Sequence, residues 1–310
     1  RLPALHARQL ISVLEKFAAQ PRRIGDIPQH VFVAEMWHET RSQAAGFIRR
    51  ETRFSESPEE WILSGPHFFV ANPVYKTPRQ ECTQNSHYDP LDLGNISIGY
   101  LPRTNYVRNC GLAQYRHRVG KVGWGGNAGT GSDFVIDCYR IVFRRMLNQP
   151  GERTLIAALV PRGPAHIDGC VSLAIRSPLN LAIVSAVASS LPMDFFVKST
   201  GKGDFRNETA DRVPIPRSTN NRLLLRTLSL NCLTSHYADL WQSCYHSEFH
   251  QQRWSTDSPL VDSDFFANLT PTWQRNCALR TDYARRQALV EIDVLVSQAL
   301  GLTLDELLAI

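Results

Sequence analysis

Two short stretches of the chain carry side chains suited to phosphates and base edges. Lys198-Ser199-Thr200-Gly201-Lys202-Gly203-Asp204-Phe205-Arg206 sets three cations within nine residues, among glycines and small hydroxyl residues that leave backbone N–H groups open to an anion. The spacing is not that of a nucleotide-binding P-loop, and an extended Pro segment follows where a helix would be needed. The second stretch is Leu101-Pro102-Arg103-Thr104-Asn105-Tyr106-Val107-Arg108, which reads as irregular chain and is preceded by Lys76 and Arg79. Arg, Asn, Thr and Tyr are the side chains that contact phosphates and base edges. One by one they read as ordinary surface residues; the clustering singles them out. The expected nucleic-acid contacts are therefore Lys76, Arg79, Arg103, Thr104, Asn105, Tyr106, Arg108, Lys198, Ser199, Thr200, Lys202 and Arg206. No catalytic or metal-ligating set accompanies them. His67 and His166 stand singly, H-E-x-x-H and G-x-S-x-G are absent, and Glu81, Asp89 and Asp92 lack the following Lys of a magnesium-dependent nuclease.

The distribution of charge supports this choice. Residues 72–126 hold seven cations against three carboxylates and residues 195–226 hold the same, whereas residues 227–310 hold five against ten. The net charge of +5 is thus two basic segments set against an acidic tail. Arg outnumbers Lys 29 to 5, which suits bidentate contacts to phosphate or guanine and is equally what a GC-rich genome produces. With 310 residues and 43% hydrophobic side chains the chain falls in the soluble globular class, which excludes collagen, coiled coil and low-complexity disorder. No apolar run approaches the about 20 residues that span a bilayer, so neither a membrane segment nor a membrane partner is expected, and the location reads as cytoplasmic. Seven cysteines without a C-x-x-C spacing predict buried reduced thiols rather than zinc. The chain begins at Arg1 without a signal-like stretch and ends in the helical pattern Leu304–Leu308, which predicts a piece of something longer.

The elements that must position these residues follow from periodicity. A helix is predicted over 4–19, strands over 31–37 and 61–72, and a long loop-rich region over 76–133 that includes Gly123-Trp124-Gly125-Gly126. Tyr139–Arg144 and Thr154–Val160 flank Asn148-Gln149-Pro150-Gly151 as a β-hairpin. Another strand is predicted over 170–175, a helix over 178–190 and an extended exit over 212–216. Helices are predicted over 223–245 and 271–300. The expected fold class is mixed α+β: an N-terminal helix with connecting strands (1–60), a β-sheet domain with long irregular loops (61–216), which the resemblance given below implies to be of the target-recognition type, and a helical C-terminal region (217–310).

Asn72-Pro73-Val74-Tyr75, after the apolar run Phe68–Ala71, is one residue from the Asn-Pro-Pro-Tyr motif of adenine amino-methyltransferases. In that motif the Asn side chain and a Pro carbonyl accept hydrogen bonds from the target amino group while the Tyr stacks on a flipped base. Neither 1–71 nor 127–310 offers the Gly-rich strand-to-helix turn such an enzyme needs for S-adenosylmethionine, so these residues read as a turn ending a buried strand. The chain over roughly 60–310 nevertheless resembles the specificity part of type IIG-like (Eco-type) adenine methyltransferases and related methylases of phage-defence systems such as DISARM. The resemblance is carried by Ser64-Gly65-Pro66-His67-Phe68-Phe69-Val70-Ala71-Asn72-Pro73, Leu101–Tyr106, Arg140–Arg144 with Arg153–Pro161, and Asp194-Phe195-Phe196 through Pro216. The order of hairpin, helix, basic Gly loop and Pro-Ile-Pro exit is also similar to target recognition domains of type I specificity subunits. The resemblance implies that 76–126 and 198–206 face double-stranded DNA. It also implies that the helices pack on a methyltransferase domain of the same polypeptide or on other defence-system subunits. S-adenosylmethionine then belongs to the parent enzyme, with no cofactor expected in this chain and no catalytic residue assigned. A self-contained S-adenosylmethionine-dependent methyltransferase built on Asn72–Tyr75, and a protein-interaction module docking through the acidic helices, remain the alternatives.

Overall fold

The computed structural model describes residues 8–124, 134–216 and 220–310. Residues 4–7 of the first predicted helix, and Gly125, Gly126, Gly129 and Gly131 of the loop-rich stretch, lie outside the described residues. The fold is α+β, built from several small sheets with a helical C-terminal region.

Ten strands are present among the described residues: β1 (Val31–Ala34), β2 (Ile48–Phe54), β3 (Ile62–Leu63), β4 (Lys76–Pro78), β5 (Tyr88–Pro90), β6 (Arg103–Arg108), β7 (Arg140–Arg144), β8 (Ala157–Val160), β9 (Ala165–His166) and β10 (Cys170–Ile175). A central antiparallel sheet runs β1-β10-β7-β8, and the pairs β2-β6, β3-β9 and β4-β5 form small satellites. The predicted hairpin is β7-β8, with Arg140 opposite Val160 and Phe143 opposite Ala157. Both faces of this sheet are buried, which is why its strands read as continuous apolar runs rather than as alternating ones. Ile141, Phe143, Leu159 and Leu173 point to a core shared with the helices, whereas Val142, Ala158 and Val160 meet Trp61, Leu63 and Phe68 on the other side.

The helices are α1 (Gln9–Ala18), α2 (Glu39–Ala44), α3 (Leu112–Arg118), α4 (Pro178–Ser189), α5 (Leu191–Ser199), α6 (Asn207–Ala210), α7 (Asn221–Asn231), α8 (Ala238–Cys244), α9 (Asp282–Ala299) and α10 (Leu304–Ala309). The α4 helix starts on Ser177, whose side chain accepts from Asn180 N–H, with Pro178 at its first position. It is buried from Leu181 to Ser189, so its apolarity serves the core. Among the described residues no single helix is long and apolar enough to cross a membrane. All seven cysteines are free thiols: Cys82, Cys170, Cys232, Cys244 and Cys277 are buried, and Cys110 and Cys138 half-buried. Burial pushes the Cys170 thiol up to about 12 and Cys244 to about 11.

Four predicted elements differ. The strand expected over 61–72 is reduced to Ile62–Leu63; a short 3₁₀ turn at Gly65–His67 follows, and Phe69 and Asn72 then pair across a tight turn with Ala71 at φ 50°. The predicted 223–245 helix breaks after Asn231, whose side chain accepts from Leu159 N–H (2.9 Å) and donates to the Thr227 carbonyl (2.9 Å). Cys232, Leu233 and Tyr237 stay buried through the break, so the apolar pattern runs on without a helix beneath it. The 271–300 helix begins at Asp282, capped by the Thr281 side chain. The 101–108 stretch is not irregular: Arg103–Arg108 is β6, paired with β2.

The segment from Ser64 to Pro102 has little secondary structure of its own, and its carbonyls are met from outside by arginines. Arg144 donates to the carbonyls of Gly65 (2.8 Å) and Phe68 (2.6 Å), Arg285 to Ala71 (2.9 Å) and Arg50 to Cys82 (2.8 Å). Arg280 donates to Leu93 (2.9 Å), Arg275 to Gly94 and Ile96, and Arg103 to Pro78 (3.4 Å). Arg285 also meets Leu230 and Leu279 carbonyls while buried. Much of the arginine excess is therefore structural: the planar fork serves two carbonyls at once, which a Lys ammonium cannot do with the same geometry.

Arg285→Met leaves three buried carbonyls without a donor and is expected to cost about 3 kcal/mol or more, read by urea unfolding. Burial pushes His67 down to about 4 and His166 to about 3, both below their unfolded value. The unfolded chain therefore binds these protons first, and stability present above about pH 6.5 falls as the pH drops toward 4, by a few kcal/mol. Asp293, pushed up to about 6 by burial, has the opposite sign, but two histidines outweigh it. His67→Gln should flatten the loss of stability between pH 6.5 and 4; an unchanged slope would contradict the assignment.

Candidate nucleic-acid interface

The basic Gly stretch is not a free loop. Lys198 and Ser199 belong to the last turn of α5, and Gly201, at φ 59°, takes the left-handed conformation that ends the helix. Residues 203–205 are then laced to the chain after β7: Leu147 N–H donates to the Gly203 carbonyl (2.9 Å) and Phe205 N–H to the Arg145 carbonyl (2.7 Å). Phe205 anchors this edge by stacking on Phe143 with ring centroids 4.2 Å apart. Ser199 is buried and spends its hydroxyl on the Phe196 carbonyl, and Thr200 bonds the Val197 carbonyl. Lys198 and Arg206 are exposed and Lys202 half-exposed.

In the second stretch the middle of β6 is buried on both faces and only its ends reach the surface. Thr104, Asn105 and Tyr106 are buried. The Thr104 hydroxyl accepts from Ile62 N–H (3.2 Å), Asn105 accepts from the Thr52 hydroxyl (2.6 Å), and Tyr106 donates to Glu39. Three of the expected base readers are thus buried and hydrogen-bonded to β3, β2 and α2 within the fold. Arg103 stays at the surface, its guanidinium 4.2 Å from the ring of Phe54, and Arg108 is exposed at the strand's end. The paired strand β2 adds cations outside the expected set: Arg49 and Arg50, both exposed, and Arg53. Ile48-Arg49-Arg50-Glu51-Thr52-Arg53-Phe54 carried the signal in its three closely spaced arginines.

The chain after β7 lies between the two basic segments, and its Met146 lines a cleft on the side of each. Asp89 on β5 is held below the usual carboxylate range by its hydrogen bond from Arg79, with Arg103 and Lys76 adding their charge. Lys76 in turn lines a cleft of about 600 Å³ together with Arg144, Arg145 and Met146. Met146, 74% exposed, also lines a neighbouring cleft of about 830 Å³ with Lys202 and Arg206. A track therefore runs from Arg103 and Arg79 through Lys76 and Arg145 to Lys202 and Arg206. Carboxylates are interleaved with it: Arg79 bonds Asp89 (2.9 Å), Lys202 bonds Glu208 (2.7 Å), and Arg206 lies 3.3 Å from Glu35 and 3.4 Å from Asp204.

Asn72-Pro73-Val74-Tyr75 folds as a turn, with the Asn72 side-chain oxygen accepting from Val74 N–H (3.2 Å). The amide is thus used locally, while Tyr75 faces the 600 Å³ cleft. Compared with protein-family models and with curated proteins, the chain matches none.

The left-handed Gly201 sets the exit of α5 toward Lys202. Gly201→Ala is expected to cost about 1 kcal/mol in chemical unfolding; no loss would mean that the loop re-forms without this turn.

Proposed function

We propose that this chain is the DNA target-recognition part of an adenine-N6 DNA methyltransferase of a restriction-modification or phage-defence system. S-adenosylmethionine and the catalytic residues would belong to a methyltransferase domain beyond these residues. The observation that supports this reading is that cations of the two basic segments line two clefts that share Met146 at one end of the central sheet. Exposed ion pairs contribute only about 0 to 1 kcal/mol each, so Arg79, Lys202 and Arg206 can exchange their carboxylates for phosphates at little cost. The carboxylates that remain weaken purely electrostatic binding, which favours a site where base contacts add to phosphate contacts. The aromatic rings beside the cations, Phe54 under Arg103 and Tyr75 under Lys76, offer flat surfaces of the kind that bases stack on. On the helical part, Val290 and Val294 are exposed four residues apart on α9, as expected of a face that packs on the catalytic domain or a partner subunit.

Duplex DNA binding should weaken steeply between about 50 and 200 mM salt. Lys202→Ala or Arg206→Ala should lower affinity evenly across sequences if the side chain touches phosphate, and change sequence preference if it touches a base. Absence of duplex binding, or binding indifferent to salt, would overturn the reading. Calorimetric titration with S-adenosylmethionine should give no heat; saturable heat would favour a self-contained methyltransferase.

A further inference from the structure

A second group of cations lies outside the track. Residues 93–132 contain no Asp or Glu and hold Arg103, Arg108, Arg116, Arg118 and Lys121. Arg103 stands on the track, and the other four gather where β6 ends and α3 begins. Arg49, at the start of β2, donates to the Asn109 side-chain oxygen (3.2 Å) and to the Arg108 carbonyl (3.5 Å). Asn109 N–H donates to the Phe47 carbonyl (2.8 Å), and the Arg118 guanidinium lies 5.7 Å from the Phe47 ring. Lys121 Nζ and the Arg116 guanidinium lie 5.2 Å and 5.0 Å from the Phe134 ring. These contacts join β2, β6 and α3 into one basic face on which Arg108, Arg118 and Lys121 are exposed.

The charge on this face differs in kind from that on the track. There Arg79, Lys202 and Arg206 each pair with a carboxylate. Here Arg49 pairs with Glu51 and Arg116 with Asp137, but among the described residues Arg108, Arg118 and Lys121 form no ion pair. Uncompensated cations attract a polyanion at long range. A protein partner would call for an apolar centre depleted of charge, whereas this face sets Leu112, 52% exposed, amid cations. The spacing also suits a phosphate backbone. Arg103 and Arg108 close the two ends of β6, about 17 Å apart, and β2 places the exposed Arg50 opposite Tyr106 between them. A duplex carries one charge per about 1.7 Å of its axis, so the track and this face fall within about ten phosphates of one duplex.

We infer that this face is a second phosphate-backbone site, which anchors duplex DNA without regard to sequence through Arg108, Arg118 and Lys121. The rings of Phe47 and Phe134 hold two of these three cations in place, which lowers the entropy lost on binding. Attraction and discrimination are thereby divided. The uncompensated face supplies salt-sensitive affinity for any duplex, and the track, whose carboxylates offset its cations, contributes the contacts that depend on sequence. The inference rests on the DNA reading above, and the variants below separate the two.

The experiment measures, by fluorescence anisotropy between about 50 and 200 mM salt, the affinity of the full chain for two duplexes of unrelated sequence. Arg108→Ala, Arg118→Ala and Lys121→Ala combined should weaken both duplexes by the same factor and reduce the log–log slope by about 2.7, or 0.9 for each phosphate lost. Lys121→Ala alone should remove about 0.9, and Arg108→Lys with Arg118→Lys, which keeps the charge, should keep the slope. Near-ultraviolet circular dichroism checks that each variant is folded; if the triple variant is not, the Lys121 and Arg→Lys variants decide. A steep slope in the unmodified chain that these Ala variants leave unchanged overturns the second site while the DNA reading stands. A loss that differs between the two duplexes overturns its indifference to sequence. A slope lost in the triple variant but kept in Lys76→Ala with Arg206→Ala upholds this face and contradicts the track. No duplex binding by the unmodified chain overturns both. Self-association without DNA that the triple variant abolishes overturns the assignment to nucleic acid and gives the face to the acidic helices of a second copy.

Discussion

Arginine donating to backbone carbonyls is the interaction on which the rest of this structure depends. Between Gly65 and Ile96 eight carbonyls are met by six arginines, from β2, β6, β7, α9 and the chain just before α9. A segment without helix or extended ladder carries polar groups it cannot pair internally, and a buried unpaired carbonyl costs as much as a lost hydrogen bond. The guanidinium solves this at two acceptors per side chain, and it couples distant parts of the chain. Arg275, Arg280 and Arg285 tie the helical region to the 71–96 segment, and Arg144 ties that segment to the central sheet.

The same constraint shapes the candidate interface. Arg103 and Arg144 each hold a carbonyl and also lie over an aromatic ring, so the surface they present is fixed rather than floppy. The basic 200–206 stretch is similarly committed through Gly203 and Phe205 to the end of β7. Positive charge is thus mounted on rigid backbone at three places along one edge, with exposed carboxylates as exchangeable partners in the free protein. A rigid platform loses little conformational entropy when a nucleic acid settles on it.

The fold was legible where apolar periodicity and burial coincide. The β7-β8 hairpin, β10, α4 and the extended exit at 212–216 stand as the pattern predicts, because both faces of the central sheet and nearly all of α4 are apolar. Legibility failed where residues are buried without regular structure. Phe68 and Val70 look like a strand but pack beside a turn, and Cys232 to Tyr237 keep a helical apolar rhythm across a break. At the candidate site the polarity of Thr104, Asn105 and Tyr106 suggested an exposed surface. They are buried and hydrogen-bonded to Ile62 of β3, Thr52 of β2 and Glu39 of α2, a tertiary arrangement that no local pattern announces. Arg145 and Met146, which join the two basic segments, were passed over because their importance lies in where β7 ends relative to chain some sixty residues later.

The central claim is that two basic segments, residues 72–126 and 195–226, act as one phosphate-contacting track. Its most direct test is the salt dependence of duplex binding in Lys76→Ala with Arg206→Ala, compared with the unmodified chain. If each side chain neutralises one phosphate, the log–log slope should fall by about 1.8, close to 0.9 for each contact removed. A slope unchanged in the double variant would contradict the track.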